Sequence, residues 1–332
     1  MPPVLAGWPA ALALALLPSL AVTGWLATRG RGFVLDLPGH RSLHARPTPR
    51  TGGIGLLAGL LAGAGWHALV SASSLPPLAG PGELLALGLL VTVSFLDDLG
   101  HVPIPVRLLV QAAVAWVLAL YSGLSFLAAL LAMPAMVWMV NLYNFMDGMD
   151  GFAGGMAVFG FGTLAGVAWL AGQPQWALLP ALVVAAALGF LAWNFPPARI
   201  FLGDAGATLL GMLAAWLLLE YHLHGLLPLW LGVLLFAPFV FDATVTLLRR
   251  ILRGERFWEA HRTHYYQRLV QRGWGHRRTV LVEYLLMAGC SLTVLLVFRR
   301  PAPVQWAAVL AWGLVAALLM GWVDAEERRT KG

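Results

Sequence analysis

The sequence predicts an all-α polytopic protein that crosses a membrane about eleven times, and three observations predict it. Of 332 residues, 60% are hydrophobic and only 11% are charged, whereas soluble domains carry roughly 25% charged residues and under half apolar ones. Long apolar runs recur from end to end, most near the ~20 residues that a crossing helix needs. The basic residues fall in the gaps between runs and, on alternation, almost all on one side. Together these exclude a soluble enzyme, a disordered chain and a soluble domain on a membrane anchor.

The runs cover residues 4–26, 52–71, 83–96, 105–121, 124–140, 152–171, 176–193, 205–221, 225–247, 280–298 and 304–323. The first has no Lys or Arg before it and positive charge soon after it. That is the pattern of an uncleaved span with its N-terminus outside, not of a secretory signal. The second carries Gly55, Gly59 and Gly63, a stripe of small residues that lets helix backbones approach closely. The stripe suits packing within the chain and leaves room for a homodimer. The third run is short and the fourth and fifth almost touch, so ten spans are the alternative. With the loop 27–51 in the cytoplasm, nineteen of the 21 basic residues lie inside and only Arg299 and Arg300 outside. The N-terminus is then outside and the C-terminus cytoplasmic. The chain reads as one integral-membrane domain, 1–332, with inner loops 27–51, 97–104, 141–151, 194–204 and 248–279 and a tail at 324–332. A pI of 10.1 reports this orientation rather than nucleic-acid binding. A single cysteine, Cys290, excludes an internal disulfide and a cysteine metal cluster.

A carboxylate in or beside a bilayer is expensive. On this topology all eight aspartates fall at the inner ends of spans or in inner segments, although only basic residues set the sidedness. Five of them form tight groups: Asp97-Asp98, the segment Asn141-Leu-Tyr-Asn144-Phe-Met-Asp147-Gly-Met-Asp150-Gly151, and Gly203-Asp204-Ala-Gly206. Each group has a plain alternative: a solvated turn, a turn rich in Asn, Asp and Gly, and a helix N-cap at Asp204. Taken together, carboxylates and amides at one depth match the hard oxygen ligands that Mg²⁺ prefers. Arg41, Arg46 and Arg50 in the first loop, and Arg262 in the large one, supply forks suited to phosphate. A metal, acids and arginines on one face point to phosphoryl transfer on a nucleotide.

The loop 248–279 holds Arg249, Arg250 and Arg253, a run usual for topology and anionic-lipid contact. His261 and His264 add nothing to orientation when neutral. Three residues apart with Arg262 alongside, they could bind a diphosphate or donate a proton to it.

Asp97-Asp98, the Asn141–Gly151 segment, Gly203-Asp204 and the His261–Leu269 loop occur in the order seen in the polyprenyl-phosphate N-acetylhexosamine-1-phosphate transferases, which this chain resembles over about residues 30–280. The first loop, from Asp36 through Arg46 and Arg50 to Gly53, resembles the family's too. The resemblance implies transfer of a sugar 1-phosphate from a UDP-N-acetylhexosamine to undecaprenyl phosphate, with UMP released, at the cytoplasmic face of a bacterial inner membrane. It implies dependence on Mg²⁺ or Mn²⁺, with Asp204 the leading metal ligand and Asp97 a second. Carried over by position, Asp97 is the candidate base for the lipid phosphate, and Asp98 assists it or the metal. Asn141, Asn144, Asp147 and Asp150 would line the substrate pocket, with Phe201 placed to stack on uracil. His261, Arg262 and His264 would bind the diphosphate. The peptidoglycan branch has consecutive histidines where this chain reads His-Arg-Thr-His-Tyr-Tyr-Gln, which resembles the O-antigen-initiating branch instead. The donor is left open among N-acetylated glucosamine, fucosamine and quinovosamine, as is direct attack versus a covalent intermediate. An anion transporter is the rival from another class, and it would place its charges near the bilayer midplane.

Overall fold

The computed structural model describes residues 7–29, 34–39, 43–44, 46–70, 80–256, 259 and 261–331. Arg31, Arg41 and the first three residues of the predicted first span lie outside the described residues. Every predicted apolar run folds as helix: α1 (Trp8–Arg29), α2 (Gly52–Val70), α3 (Pro81–Leu99), α4 (Ile104–Tyr121), α5 (Phe126–Phe145) and α6 (Phe152–Leu170). A 3-10 turn at Pro174–Ala177 leads into α7 (Leu178–Asn194), followed by α8 (Gly203–Leu223), α9 (Leu229–Leu235) and α10 (Ala237–Leu252). Then come α11 (Tyr265–Leu269), α12 (Gly275–Val297) and α13 (Ala302–Lys331). The strands β1 (Leu35–Asp36) and β2 (Thr48–Pro49) pair antiparallel in the first loop.

Among the described residues nine helices are long and apolar enough to cross a membrane, and α9 with α10 makes a tenth if that pair, bent by 85°, is one span. The remaining segment, α3, is 19 residues long and is set apart by its three carboxylates, Glu83, Asp97 and Asp98. The bend divides the predicted ninth run at Phe236. The predicted fourth and fifth spans stay separate because Ser125 caps α5, its hydroxyl accepting from Ala128 N at 3.3 Å.

Two boundaries shift the candidate residues off loops and onto helices. The third run extends to Leu99, so Asp97 and Asp98 sit in the last turn of α3, which Gly100 ends. Likewise α5 runs to Phe145 and carries Asn141 and Asn144. Helix α8 is the hub, buried without a break from Ala205 to Tyr221, whereas α13 is largely exposed at the lipid-facing rim. The glycine stripe of α2 packs on α1 inside the chain, where a Cβ at Gly55 would collide with Thr23 and one at Gly59 with the Ala15 carbonyl. That face is therefore not free for a second copy.

Candidate active site

Consecutive residues on a helix point about 100° apart, and Asp97 and Asp98 accordingly face different neighbours. Asp97 turns towards α4, where its Oδ1 accepts from Val102 N at 2.9 Å and its Oδ2 pairs with the Arg107 guanidinium. Arg107 Nη1 also lies 3.7 Å from Asp204 Oδ2. Asp98 turns towards α8 and is 2% exposed. Its two oxygens accept from Asp204 N and Ala205 N, each at 3.0 Å. A carboxylate thus caps the positive end of α8 from another helix. The approach is close enough that a Cβ at Gly203 would sit 3.0 Å from Asp98 and against the Arg50 carbonyl, and Gly203 itself holds φ +78°. Arg50 Nη2 closes the corner by donating to the Asp98 carbonyl at 2.7 Å.

Asp204 is then held from two sides, by Arg107 on Oδ2 and by Asn144 Nδ2, which donates to Oδ1 at 2.7 Å. It stands between two cavities. The larger, of 460 Å³, is lined by Asp36, His44, Arg50, Asp147, Asp150 and Phe201, among others. The smaller, of 80 Å³, is lined by Ser94, Asp97, Arg107, Gln111, Asn141 and Thr208, among others. Asn144, Phe145 and Asp204 line both. The smaller cavity is bordered by Ile104 and Leu108, which are 44% and 42% exposed on the apolar outer surface. One cavity therefore meets the loops, and the other meets the side where lipid would lie.

In the larger cavity, burial and then the carboxylates of Asp204 and Asp98 push the Asp147 carboxyl well above the usual carboxylate range. Asp150 is fixed by Ala198 N, which donates to Oδ2 at 2.9 Å, and by His276, whose Nδ1 lies 2.9 Å from Oδ1. The other nitrogen of His276 lies 3.3 Å from the Leu43 carbonyl and so ties the first loop to the site. Phe201 meets His44 edge-on at 4.9 Å between ring centres.

Several sequence-predicted residues sit elsewhere. Asn141 lines the smaller cavity, where Nδ2 donates to Gln111 Oε1 at 2.7 Å. Arg46 is exposed and lines neither cavity, and Arg41 lies outside the described residues. His264 is buried behind Phe145, its Nδ1 3.2 Å from Asp242 Oδ1 at the start of α11. His261 lies beside it, the two rings tilted by 34° with their centres 4.8 Å apart. Burial, followed by the proximity of His264 and Arg250, lowers the His261 pKa to about 4, so the ring carries no charge near neutrality. Arg262 lines a third, arginine-rich cavity. Sequence reasoning missed Arg107, His276, His44 and Gln267, all of which line the two site cavities. A lone arginine in the first turns of an apolar helix was the signal for Arg107. His44 and Gln267 stand inside the first-loop and His261–Leu269 stretches that carry the resemblance, with no role read for either, and nothing local marks His276.

Among the described residues no group of three or more His, Cys, Asp or Glu is arranged to hold a metal ion by protein atoms alone. A hard dication fits the site nonetheless. Mg²⁺ takes one or two carboxylates and completes its shell with water and substrate phosphates. Asp204 and Asp97 offer only oxygen as ligand atoms, although each of those oxygens faces an N–H donor here. A cation beside them would relieve the Asp204 and Asp98 charge that, after burial, raises Asp147.

Comparison with known proteins follows the same residues. Residues 82–222, which include Asp97, Asp98, the Asn141–Gly151 segment and Asp204, match the family described as glycosyl transferase family 4. The chain is 30% identical to a protein of Bacillus subtilis named probable undecaprenyl-phosphate N-acetylglucosaminyl 1-phosphate transferase, over 76% of this chain and 74% of that one. It is 28% identical to the decaprenyl-phosphate N-acetylglucosaminephosphotransferase of Mycolicibacterium smegmatis, over 93% and 86%. It is 26% identical to the undecaprenyl-phosphate alpha-N-acetylglucosaminyl 1-phosphate transferase of Escherichia coli O157:H7, over 87% and 83%.

Proposed function

The chain belongs to glycosyl transferase family 4, among the polyprenyl-phosphate N-acetylhexosamine-1-phosphate transferases, and from that premise we propose that it transfers N-acetylhexosamine-1-phosphate from a UDP-sugar to undecaprenyl phosphate. One observation carries this proposal: Asp204 and Asn144 line both a loop-side and a lipid-side cavity. A nucleotide sugar entering from the cytosol and a lipid phosphate entering from the bilayer would meet there. The nucleotide belongs in the larger cavity, with Asp150 and Phe201 near the base and Arg50 near the diphosphate. The lipid phosphate belongs in the smaller one, against Arg107 and Asn141.

In the reaction a lipid phosphate oxygen attacks the phosphorus that bears the sugar. A new P–O bond forms, the bond to the bridging oxygen breaks, and UMP leaves. Asp97 accepts the proton of the lipid phosphate, held in place for this by Arg107 and Val102 N. Arg107 offsets the charge of the attacking phosphate and sets its direction. Asp98 positions Asp204 by capping α8 and stays out of the chemistry. Mg²⁺ or Mn²⁺, held by Asp204 and by substrate phosphate oxygens with Asp97 close by, would neutralise the diphosphate. The donor carries an N-acetylated glucosamine, fucosamine or quinovosamine. The His-Arg-Thr-His-Tyr-Tyr-Gln stretch favours the initiation of O-antigen or another envelope polysaccharide, on the cytoplasmic face of the inner membrane.

The test incubates purified protein with undecaprenyl phosphate, Mg²⁺ and a panel of UDP-N-acetylhexosamines, and measures UMP. One donor should turn over, and Asp204→Asn should reduce the rate by on the order of 10²–10³-fold. No UMP with any donor would overturn the proposal.

A further inference from the structure

The third cavity, of 630 Å³, lies beside the catalytic one without sharing a lining residue with it. Six arginines face it: Arg249, Arg250 and Arg253 at the end of α10, Arg262 and Arg268 around α11, and Arg328 near the end of α13. Only three carboxylates oppose them, Glu255, Asp324 and Glu327. These carboxylates orient part of the ring. Asp324 bridges Arg249 at 2.6 Å and Arg268 at 2.7 Å, Glu327 takes Arg268 at 2.5 Å, and Glu255 takes Arg250 at 3.0 Å. The remaining cations are less engaged. Arg253 is 69% exposed and only 3.9 Å from Glu255. Among the described residues no ion pair holds the Arg262 or Arg328 side chain, and the buried Nε of Arg250 has no hydrogen-bond partner.

The position of the cavity narrows the ligand. Its α10 arginines alternate with Leu248, Ile251 and Leu252, apolar side chains 52%, 46% and 85% exposed, so the ring stands where α10 leaves the hydrocarbon. Guanidinium forks at that depth match the oxygens of a phosphate. We propose that this cavity is a second, non-catalytic site for a phosphate-bearing anion, presented as the headgroup of an acidic membrane phospholipid or free in solution. The five-residue helix α11 separates the two sites. It sends Gln267 to the catalytic cavity and Tyr265 and Arg268 to the arginine cavity, so an anion held there steadies one wall of the catalytic cavity.

The experiment reads binding, not turnover, so its outcome is separate from that of the transferase assay. Protein purified in detergent is titrated with phosphatidylglycerol, cardiolipin, phosphatidylcholine and inorganic phosphate, and bound species are counted by native mass spectrometry. The double variant Arg253→Gln/Arg328→Gln removes two exposed cavity arginines. The control pair Arg299→Gln/Arg300→Gln removes the same charge at the other end of the spans. Affinity for the acidic lipid should fall about 5-fold per arginine, roughly 25-fold for the cavity pair, and stay unchanged in the control. Inorganic phosphate displacing the bound lipid, or binding in its stead with the same loss in the cavity pair, supports the site with a soluble source. Equal retention in wild type and both pairs, or binding of phosphatidylcholine as tight as that of the acidic lipids, would overturn it.

Discussion

Adjacent carboxylates at the end of α3 do different work because about 100° of helix rotation separates them. Asp97 faces Arg107 and the lipid-side cavity, while Asp98 is consumed by the amides of Asp204 and Ala205. The pair was legible in the sequence, but its division of labour depends on which helix packs on which side. Asp147 carries the clearest pH signature. Its pKa is raised by burial and by two neighbouring carboxylates, so the folded chain keeps a proton that the unfolded chain releases near pH 4. The stability this confers is full below that pH and is lost as pH rises through the folded value. In EDTA, the Asp147→Asn variant should therefore melt a few degrees above the wild type at pH 8, with the gap closing towards pH 5. Thermal melts in detergent at both pH values check this, and equal melting throughout would remove the charge crowding assigned to Asp147. Arg107 was harder to see because a single arginine in an apolar run also serves orientation, and only its two acidic partners reveal a second task.

Helix α11, at five residues, is too short to hold itself together. What holds it is Asp242 of α10, whose Oδ1 accepts from Tyr265 N and whose Oδ2 accepts from Tyr266 N, each at 2.9 Å. The device is the one Asp98 provides for α8, a buried carboxylate on one helix capping the start of another. Losing it strands two buried amides, at about 1–3 kcal/mol each. Asp242→Ala should thus speed hydrogen exchange across residues 261–269 by about 30-fold or more and leave α1, α2 and α7 protected. Exchange that stays slow in that segment would show that other contacts hold α11. The helices themselves were readable from apolar runs alone. The break of the ninth run at Phe236 went unread although Pro238 marks it, since proline suits the first turn of a new helix such as α10. A search for apolar length passes over that proline and over the 85° bend. Nor was the role of His264 readable, which a spacing argument grouped with Arg262 but which tertiary packing turns towards Asp242.

Across the whole molecule, one end carries nearly all the charge, and that asymmetry makes the transfer reaction a sided one. Asp98, Asp150, Asp204 and the arginine ring all lie at the ends of spans whose loops hold nineteen of the 21 basic residues. The opposite ends hold Arg299, Arg300, His222 and His224. Positive charge resists translocation, so the arginine-rich ends should face the cytoplasm, where a nucleotide sugar is found. The chain allows a direct check because its one cysteine, Cys290, is buried and can be replaced by serine. On that background, cysteine is placed singly at the exposed positions Arg253 and His222, and each variant is treated with a membrane-impermeant maleimide. The cysteine at 222 should label in spheroplasts, and the one at 253 only in inverted vesicles or after permeabilisation. If the two label from the same side, an odd number of crossings no longer separates them, and α9 with α10 is a re-entrant pair rather than one span. If both label from the sides opposite to those expected, the catalytic cavity faces away from the cytosol and the UDP-sugar donor fails with it.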